Sequence, residues 1–375
     1  MSHDKKSSVP LEADSGVELP DSRRMIRVGH VAPVFTPLPA PGYGGVERII
    51  VELTAIQRQL NEVEPVTYAS SDSSLPGVTR AIESSPASRA LDVHEAHAAQ
   101  ERHMRFVLES CGDLDLLHVH GNWFLPYVEA APVPVVTSVY ADTSQPAIRE
   151  ELRRPARNNH LIANSDRTRS NAPGCPWFGT VLEGLDLERY PFRPESEGYF
   201  VFVGALVPWK GCHIAIRAAR ALGRQLYVVG PREPLHLPPD ERELARQYVE
   251  QEVNPLLGPG VEYLGELGED RLDVISNAAA LISPITWEEP FGRVLAESLA
   301  CGTPVVAYRR GAAPEVVTDS VTGYVVDNFE ELLGALEKVA TLDRATCRAS
   351  AVRKFDMRRV ASEYSNIYSR VLKES

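Results

Sequence analysis

The stretch AALISPITWEEPFGRVLAESLACGTPVVAY, residues 279–308, reads as strand, loop, helix and strand. AALISP (279–284) and TPVVAY (303–308) are short apolar runs bounded by turn residues, as expected of strands buried in a parallel sheet. Gly292 marks the passage from loop to helix. A helix that begins there presents unpaired N–H groups and a partial positive charge at the carboxyl end of the preceding strand, a place that suits a diphosphate. Glu289 falls in the loop and Glu297 in the helix; were the interval helical throughout, they would stand about 12 Å apart. Carboxylates so spaced suit the two ends of a nucleotide-sugar, because sugar and ribose hydroxyls donate strongly to a charged acceptor. Taken alone, Glu289 could equally be a carboxylate stabilising a helix N-terminus by about 0.3–1 kcal/mol.

The same alternation extends in both directions. YFVFVGAL (199–206), QLYVVG (225–230) and VEYLGE (261–266) are strand-like, with helical segments between them, and complete one α/β lobe. In the first half, MIRVGHVA (25–32) leads through a loop rich in Pro and Gly to an amphipathic helix whose apolar face is Val46, Ile49, Ile50, Leu53, Ile56 and Leu60. PVTYAS (65–70), LDLLHVHG (114–121), PVPVVTSVY (132–140), HLIANS (160–165) and GTVLEG (179–184) supply further strands, predicting a doubly wound lobe. RPESEG (193–198) suits a linker. The predicted organisation is a tail over 1–24, lobes over 25–192 and 199–354, and a helix over 355–375, capped by Asp356 and carrying Val360, Tyr364, Ile367 and Val371 at helical spacing.

A chain of 375 residues favours two domains. Its net charge of −12 opposes a phosphate-backbone partner, so nucleic acid is excluded as an expected ligand. Cys111, Cys175, Cys212, Cys301 and Cys347 have neither CxxC nor Cys/His metal spacing and read as reduced thiols, which predicts a cytoplasmic protein. Lys5 and Lys6 precede no apolar stretch, so the tail is read as disordered rather than as a signal peptide, and no run of 18 apolar residues predicts a membrane span.

Lysine is scarce, six against thirty-three arginines, which makes Lys210 in FVGALVPWKG (202–211) informative. An ammonium at a strand's carboxyl end meets the negative charge that grows on a departing diphosphate, although an isolated lysine is more often a solvated surface group. PGYGGVER (41–48) places Gly42, Gly44 and Gly45 where a backbone could approach a ligand closely. His118 and His120 share one strand face. No third ligand keeps regular spacing with them, so no metal is expected.

The block from Trp287 to Val317 resembles the signature of family 4 retaining glycosyltransferases of GT-B fold: EPFGRVLAE, then CGTPVVA, GAAPEVV and TGYVV in order. The resemblance runs from about Met25 to the C-terminus. It implies two Rossmann-like lobes facing a central cleft, with the C-terminal helix crossing back to the first lobe. It implies that Glu289 contacts the donor sugar and Glu297 the ribose, with the backbone around Phe291, Gly292, Arg293 and Val294 facing the donor. Gly44, Gly45, Gly204, Lys210 and Leu267 complete the implied donor site, and His120, Lys210 and Glu289 the implied catalytic set, with His120 orienting the sugar.

The implied reaction is transfer, with retention, from a nucleoside diphosphate sugar, UDP-sugar by family frequency, to a hydroxyl of a small molecule, glycan or lipid. Neither metal nor other cofactor is implied. Three positions depart from the pattern: Ala205 stands where arginine is usual, Tyr140 where histidine is, and Glu183 where asparagine is. Arg293, at a position more often apolar, is a candidate replacement for the missing phosphate cation. A non-catalytic nucleotide-sugar-binding protein, an epimerase and a phosphorylase are alternatives on the same fold. Glu47, Arg48, Glu52 and Arg58 form a balanced set on the first helix, which favours a soluble acceptor. Loops 71–89 and 123–129 would select that acceptor.

Overall fold

Buried apolar runs pair into two parallel sheets. The computed structural model describes residues 24–42, 44–86, 92–154, 157–234, 237 and 239–375. All but one residue of the expected 1–24 tail, and positions 87–89 of the 71–89 loop, lie outside the described residues. The first lobe runs β1 (Ile26–Val31), α1 (Gly45–Leu60), β2 (Val63–Tyr68), β3 (Val78–Arg80), α2 (Val93–Ser110), β4 (Leu116–His120), β5 (Val135–Val139), α3 (Pro146–Arg153), β6 (Asn159–Ala163), α4 (Asp166–Asn171) and β7 (Trp177–Thr180). Its strand order is β3-β2-β1-β4-β5-β6-β7.

The second lobe runs β8 (Phe200–Val203), α5 (Cys212–Ala221), β9 (Leu226–Val229), α6 (Pro239–Tyr248), β10 (Val261–Gly265), α7 (Arg271–Asn277), β11 (Ala280–Ser283), α8 (Arg293–Ala300), β12 (Val305–Tyr308), α9 (Ala313–Val316) and β13 (Gly323–Val326). α10 (Phe329–Lys338), α11 (Arg344–Phe355) and α12 (Met357–Glu374) follow. The order here is β10-β9-β8-β11-β12-β13. The chain winds outward to one side from β1 and β8 and to the other from β4 and β11. The β1/β4 and β8/β11 pairs are therefore the switch points, where the carboxyl ends of neighbouring strands open a crevice for ligands.

α12 belongs to the first lobe by packing. Val360, Tyr364, Ile367 and Val371 are buried with Val28, Leu53, Leu116, Val136 and Ile162, each aliphatic side chain contributing about 1.5–3 kcal/mol. The Asp356 carboxylate caps the helix, accepting from the Arg358 N–H at 2.8 Å. The two interlobe crossings run side by side: the Leu185 N–H donates to the Phe355 carbonyl at 2.7 Å and the Met357 N–H to the Leu185 carbonyl at 3.0 Å.

Three local expectations are corrected. Leu185 and Tyr190 are buried among Leu281, Leu295 and Phe355, so the chain joins the second lobe's core before the 193–198 linker. β7 stops at Thr180, leaving Leu182–Gly184 as loop. The reading of charges on α1 also changes: Glu52 is buried, because an arginine of the other lobe meets it.

Candidate active site

The loops leaving β8 and β11, neighbours at the second switch point, carry Lys210 and Glu289. Lys210 ends a 3₁₀ turn, Pro208–Lys210, closed by Gly211 at φ 76°. A Cβ on Gly211 would lie 2.3 Å from the Pro284 carbonyl oxygen, so glycine is required for these two loops to lie against each other. Lys210 Nζ donates to Glu289 Oε2, and Trp287 Nε1 donates to the same oxygen at 2.9 Å. The ammonium also stands 5.3 Å from the centroid of the Trp287 ring. Both side chains keep some exposure, 15% for Lys210 and 16% for Glu289.

Glu289 is held from behind by the GAAPEVV segment. The Ala312 N–H donates to the Glu289 carbonyl at 3.0 Å. Any Cβ on Gly311 would fall 2.0 Å from that carbonyl oxygen, which explains the glycine there. Gly292, at φ 81°, then starts α8, so Arg293 and Val294 open the helix with amides that lack intrahelical acceptors. Phe291 can offer a ligand only its main chain, since its ring is buried edge-on to Phe355 with centroids 5.7 Å apart. Val294 and Leu267 pack against the same core.

Glu297 is enclosed by cations. Arg271 grips it with two bonds, Nη2 to Oε1 at 2.6 Å and Nε to Oε2 at 3.2 Å, and the Tyr190 hydroxyl lies 3.4 Å from Oε1. Burial alone would raise its pKa; Arg271 and Arg293 outweigh that and hold it below the ordinary carboxylate value. Arg293 is itself occupied. Its Nη2 donates to Glu52 Oε1 at 2.6 Å and its Nη1 to the Gly184 carbonyl at 2.9 Å, while Nε makes a charge contact of 3.3 Å with Glu297. The sequence expectation of Arg293 as a free phosphate cation is corrected accordingly: a buried guanidinium requires carboxylate partners, and Glu52 and Glu297 are those partners. Arg48 lies close by, donating to the Gly42 carbonyl at 2.7 Å, with its pKa lowered by burial and by Arg271.

The glycine loop of the first lobe reaches the second. A Cβ on Gly42 would lie 2.1 Å from Glu266 Oε1, beside Leu267. Gly44 caps α1, and a side chain on it would strike Ala40, whereas Gly45 opens on free space. The carbonyl of Gly204 abuts Gly230 so closely that a Cβ there would be 1.9 Å away. Ala205, in the position of the missing arginine, packs with Val207 and Ala245.

At the first switch point, β1–β4 pairing sets His30 opposite His118, so the third imidazole absent from the local spacing comes from another strand. Ligand atoms of His30, His118 and His120 all lie within 4.8 Å of one another. They are joined as a hydrogen-bonded chain: His30 Nδ1 to His120 Nε2 at 3.1 Å, and His120 Nδ1 to the Tyr140 hydroxyl at 3.3 Å. His118 is engaged at both nitrogens, by Tyr368 and Ser138, each at 2.8 Å. Burial drives the His30 pKa down to about 3 and holds His118 and His120 well below the usual value. His120 is therefore a neutral, oriented group, buried at the carboxyl end of β4.

The lobes touch across this cleft. Ser165 Oγ donates to the Pro290 carbonyl at 2.6 Å. The Glu315 carboxylate accepts from the N–H groups of Asp166, at 2.9 Å, and Arg167, at 2.7 Å. Asn164, next to Ser165, donates from Nδ2 to Glu183 Oε1 at 3.0 Å. Burial pushes the Glu183 carboxyl up to about 7, against the nearby charge of Arg293.

Two doubly wound lobes facing a cleft at their switch points define a GT-B protein. Residues 187–351 match the family model described as Glycosyl transferases group 1, and the relatives the chain resembles are named glycosyltransferases. It is 29% identical over 313 residues to a D-inositol 3-phosphate glycosyltransferase of Saccharomonospora viridis, covering 68% of this chain and 70% of that one. It is 27% identical to a phosphatidyl-myo-inositol mannosyltransferase of Mycobacterium leprae, over 92% of this chain and 97% of that one. Among solved structures, Anabaena Alr3699/HepE in complex with UDP and glucose superposes with a TM-score of 0.71 at 19% identity, over 92% of this chain and 100% of that one. Among the described residues, no helix is long and apolar enough to cross a membrane.

Proposed function

We propose that the chain transfers a sugar from a nucleoside diphosphate sugar, UDP-sugar first, to a hydroxyl-bearing acceptor, with retention of configuration and without a metal. The observation that carries this reading is the meeting of Lys210 with Glu289 at the start of α8. An ammonium, two free helix amides and a carboxylate converge on one strand-end crevice, which suits a diphosphate joined to a hydroxylated ring. Lys210 and the α8 amides would stabilise the departing diphosphate as the glycosidic bond breaks. Glu289 would accept from sugar hydroxyls, and neutral His120 would orient the sugar. For Glu297 to accept from the ribose, the hydroxyls must share it with Arg271. Closure of the lobes would exclude water from the donor.

Two relatives carry names that include inositol, which makes a polyhydroxylated ring the first acceptor class to assay. The test is incubation with a panel of nucleotide-sugars and polyol acceptors, followed by mass spectrometry for product and NMR for its anomeric configuration. A retained glycoside formed in the presence of chelator supports the reading. Tight nucleotide binding with no donor consumed would instead favour a binding protein, and an inverted product would remove the retaining mechanism.

A further inference from the structure

Cations at the cleft meet carboxylates: Lys210 meets Glu289, Arg189 meets Glu269, Arg271 grips Glu297, and Arg293 is shared between Glu52 and Glu297. Arg48 differs. It stands in the first turn of α1, half-buried, and donates from Nη2 to the uncharged carbonyl of Gly42 at 2.7 Å. Among the described residues no carboxylate forms an ion pair with it. Glu47, beside it in the helix, turns to the Thr36 hydroxyl at 3.2 Å, and the charges of Arg271 and Arg293 act on Arg48 together with that of Glu297. A half-buried guanidinium close to two others has given up water without gaining a counter-charge of its own.

Two elements proposed to hold the donor fix its place. Arg48 precedes Glu52 by one turn on the same face of α1, a separation of about 5–6 Å. Glu52 in turn bonds Arg293, the first residue of α8, at 2.6 Å. On the other side, Gly42, whose carbonyl holds Arg48, is pressed against Glu266, next to Leu267. Between these contacts Arg48 lines a cavity of about 60 Å³ shared by the lobes, walled by Pro41 and Val51 from one and by Gly268 and Glu269 from the other. Arg271 Nη1 donates to the Gly268 carbonyl at 2.8 Å, which ties that wall to the Arg271–Glu297 pair.

We infer that Arg48 is a binding residue for the donor's diphosphate, supplied from the lobe opposite Lys210, an inference that rests on the glycosyltransferase reading above. The diphosphate is the anionic part common to every nucleoside diphosphate sugar, so it is the part that offers Arg48 a counter-charge. Nε and Nη1 carry the donors that remain for phosphate oxygens. Because Arg48 rides on the first lobe and Lys210 on the second, the diphosphate receives both cations only when the lobes are together. Donor binding therefore favours closure, and the negative charge that grows as the sugar leaves is met from both sides of the cleft. The role that the sequence suggested for Arg293 passes to Arg48.

The experiment measures binding to the full chain of UDP, GDP and ADP by calorimetry, and of the nucleoside matching the tightest of them by NMR titration, in the wild type, Arg48→Gln and Arg48→Lys. Arg48→Gln is expected to bind the diphosphate about 10- to 100-fold more weakly and the uncharged nucleoside within about threefold of the wild type. Arg48→Lys, which keeps the charge without the planar fork, is expected to lie between the two and carries the same comparison if Arg48→Gln fails to fold. The inference is overturned if Arg48→Gln binds the diphosphate within about threefold of the wild type. It is equally overturned if, in either variant, the nucleoside loses as much affinity as the diphosphate, since a role in the fold or at the ribose would do that. Should the wild type bind none of the three diphosphates, the functional reading itself fails and takes this inference with it.

Discussion

Arg293 Nη2 lies 2.6 Å from Glu52 Oε1, joining the first turn of α8 in one lobe to α1 in the other. Both side chains are buried, and Glu52 also accepts from the Asp186 N–H at 2.9 Å, beside the interlobe crossing. Desolvation offsets most of the attraction in a buried pair of this kind, so its net contribution to stability is small while the loss of one partner is costly.

Removing one partner strands the other. Glu52→Ala is expected to destabilise the protein by about 3–5 kcal/mol in denaturant unfolding, whereas the double change Glu52→Leu, Arg293→Met should recover most of that loss. If the double variant were as unstable as the single one, an isolated buried charge would not be the cause.

The imidazoles of His30, His118 and His120 are kept neutral by burial, with the pKa of His30 at about 3. Between pH 6.5 and about 3 the unfolded chain therefore binds protons that the folded state refuses, so stability rises with pH across that window and is lost on acidification. Each buried histidine contributes about 1.4 kcal/mol per pH unit crossed. His30→Asn should flatten the dependence of thermal midpoint on pH between 4 and 6; an unchanged slope would contradict the assignment.

Glu183 acts with the opposite sign. Its carboxyl, near 4.5 when unfolded, is pushed to about 7 by burial, so across that interval the folded state holds a proton that the unfolded state releases. Its contribution is intact below the unfolded value and falls as pH rises, by on the order of 3 kcal/mol once both states are ionised. Glu183→Gln should accordingly be more stable than the wild type at pH 8 and no more stable at pH 4, as read by urea midpoints at the two values.

Gly311 sits at φ 52°, where a Cβ would be 2.0 Å from the Glu289 carbonyl oxygen. Gly311→Ala should displace Glu289 and lower kcat at least tenfold, since small misplacements of a reacting group cost much of its rate. Because the strain is local, circular dichroism should still report a folded protein. Full activity in this variant would mean that the position of Glu289 is unimportant.

The architecture was legible because strands covered on both faces read as continuous apolar runs, and Lys210 and Glu289 stood in motifs at strand ends. β3 was not legible: Val78–Arg80 is a three-residue edge strand without an apolar run. In the sequence Glu52 is only one charge of a balanced set on α1, and an amphipathic helix normally turns its carboxylates outward. Its partner lies 241 residues away in the chain, a separation that no local pattern can reveal. His30 was missed for a related reason, since only the register of β1 on β4 sets it beside His118. Arg293 was correctly singled out as an unusual charge, but its helical position aims it at Glu52 and Glu297.

The docking of a diphosphate between Lys210 and the first amides of α8 is the centre of this account, and calorimetric titration with UDP tests it most directly. The wild type should bind UDP, and Lys210→Met should bind it roughly 10- to 100-fold more weakly, the worth of one charge-assisted hydrogen bond. Equal affinity in the two proteins, or no binding of UDP or any other nucleoside diphosphate to the wild type, would contradict it.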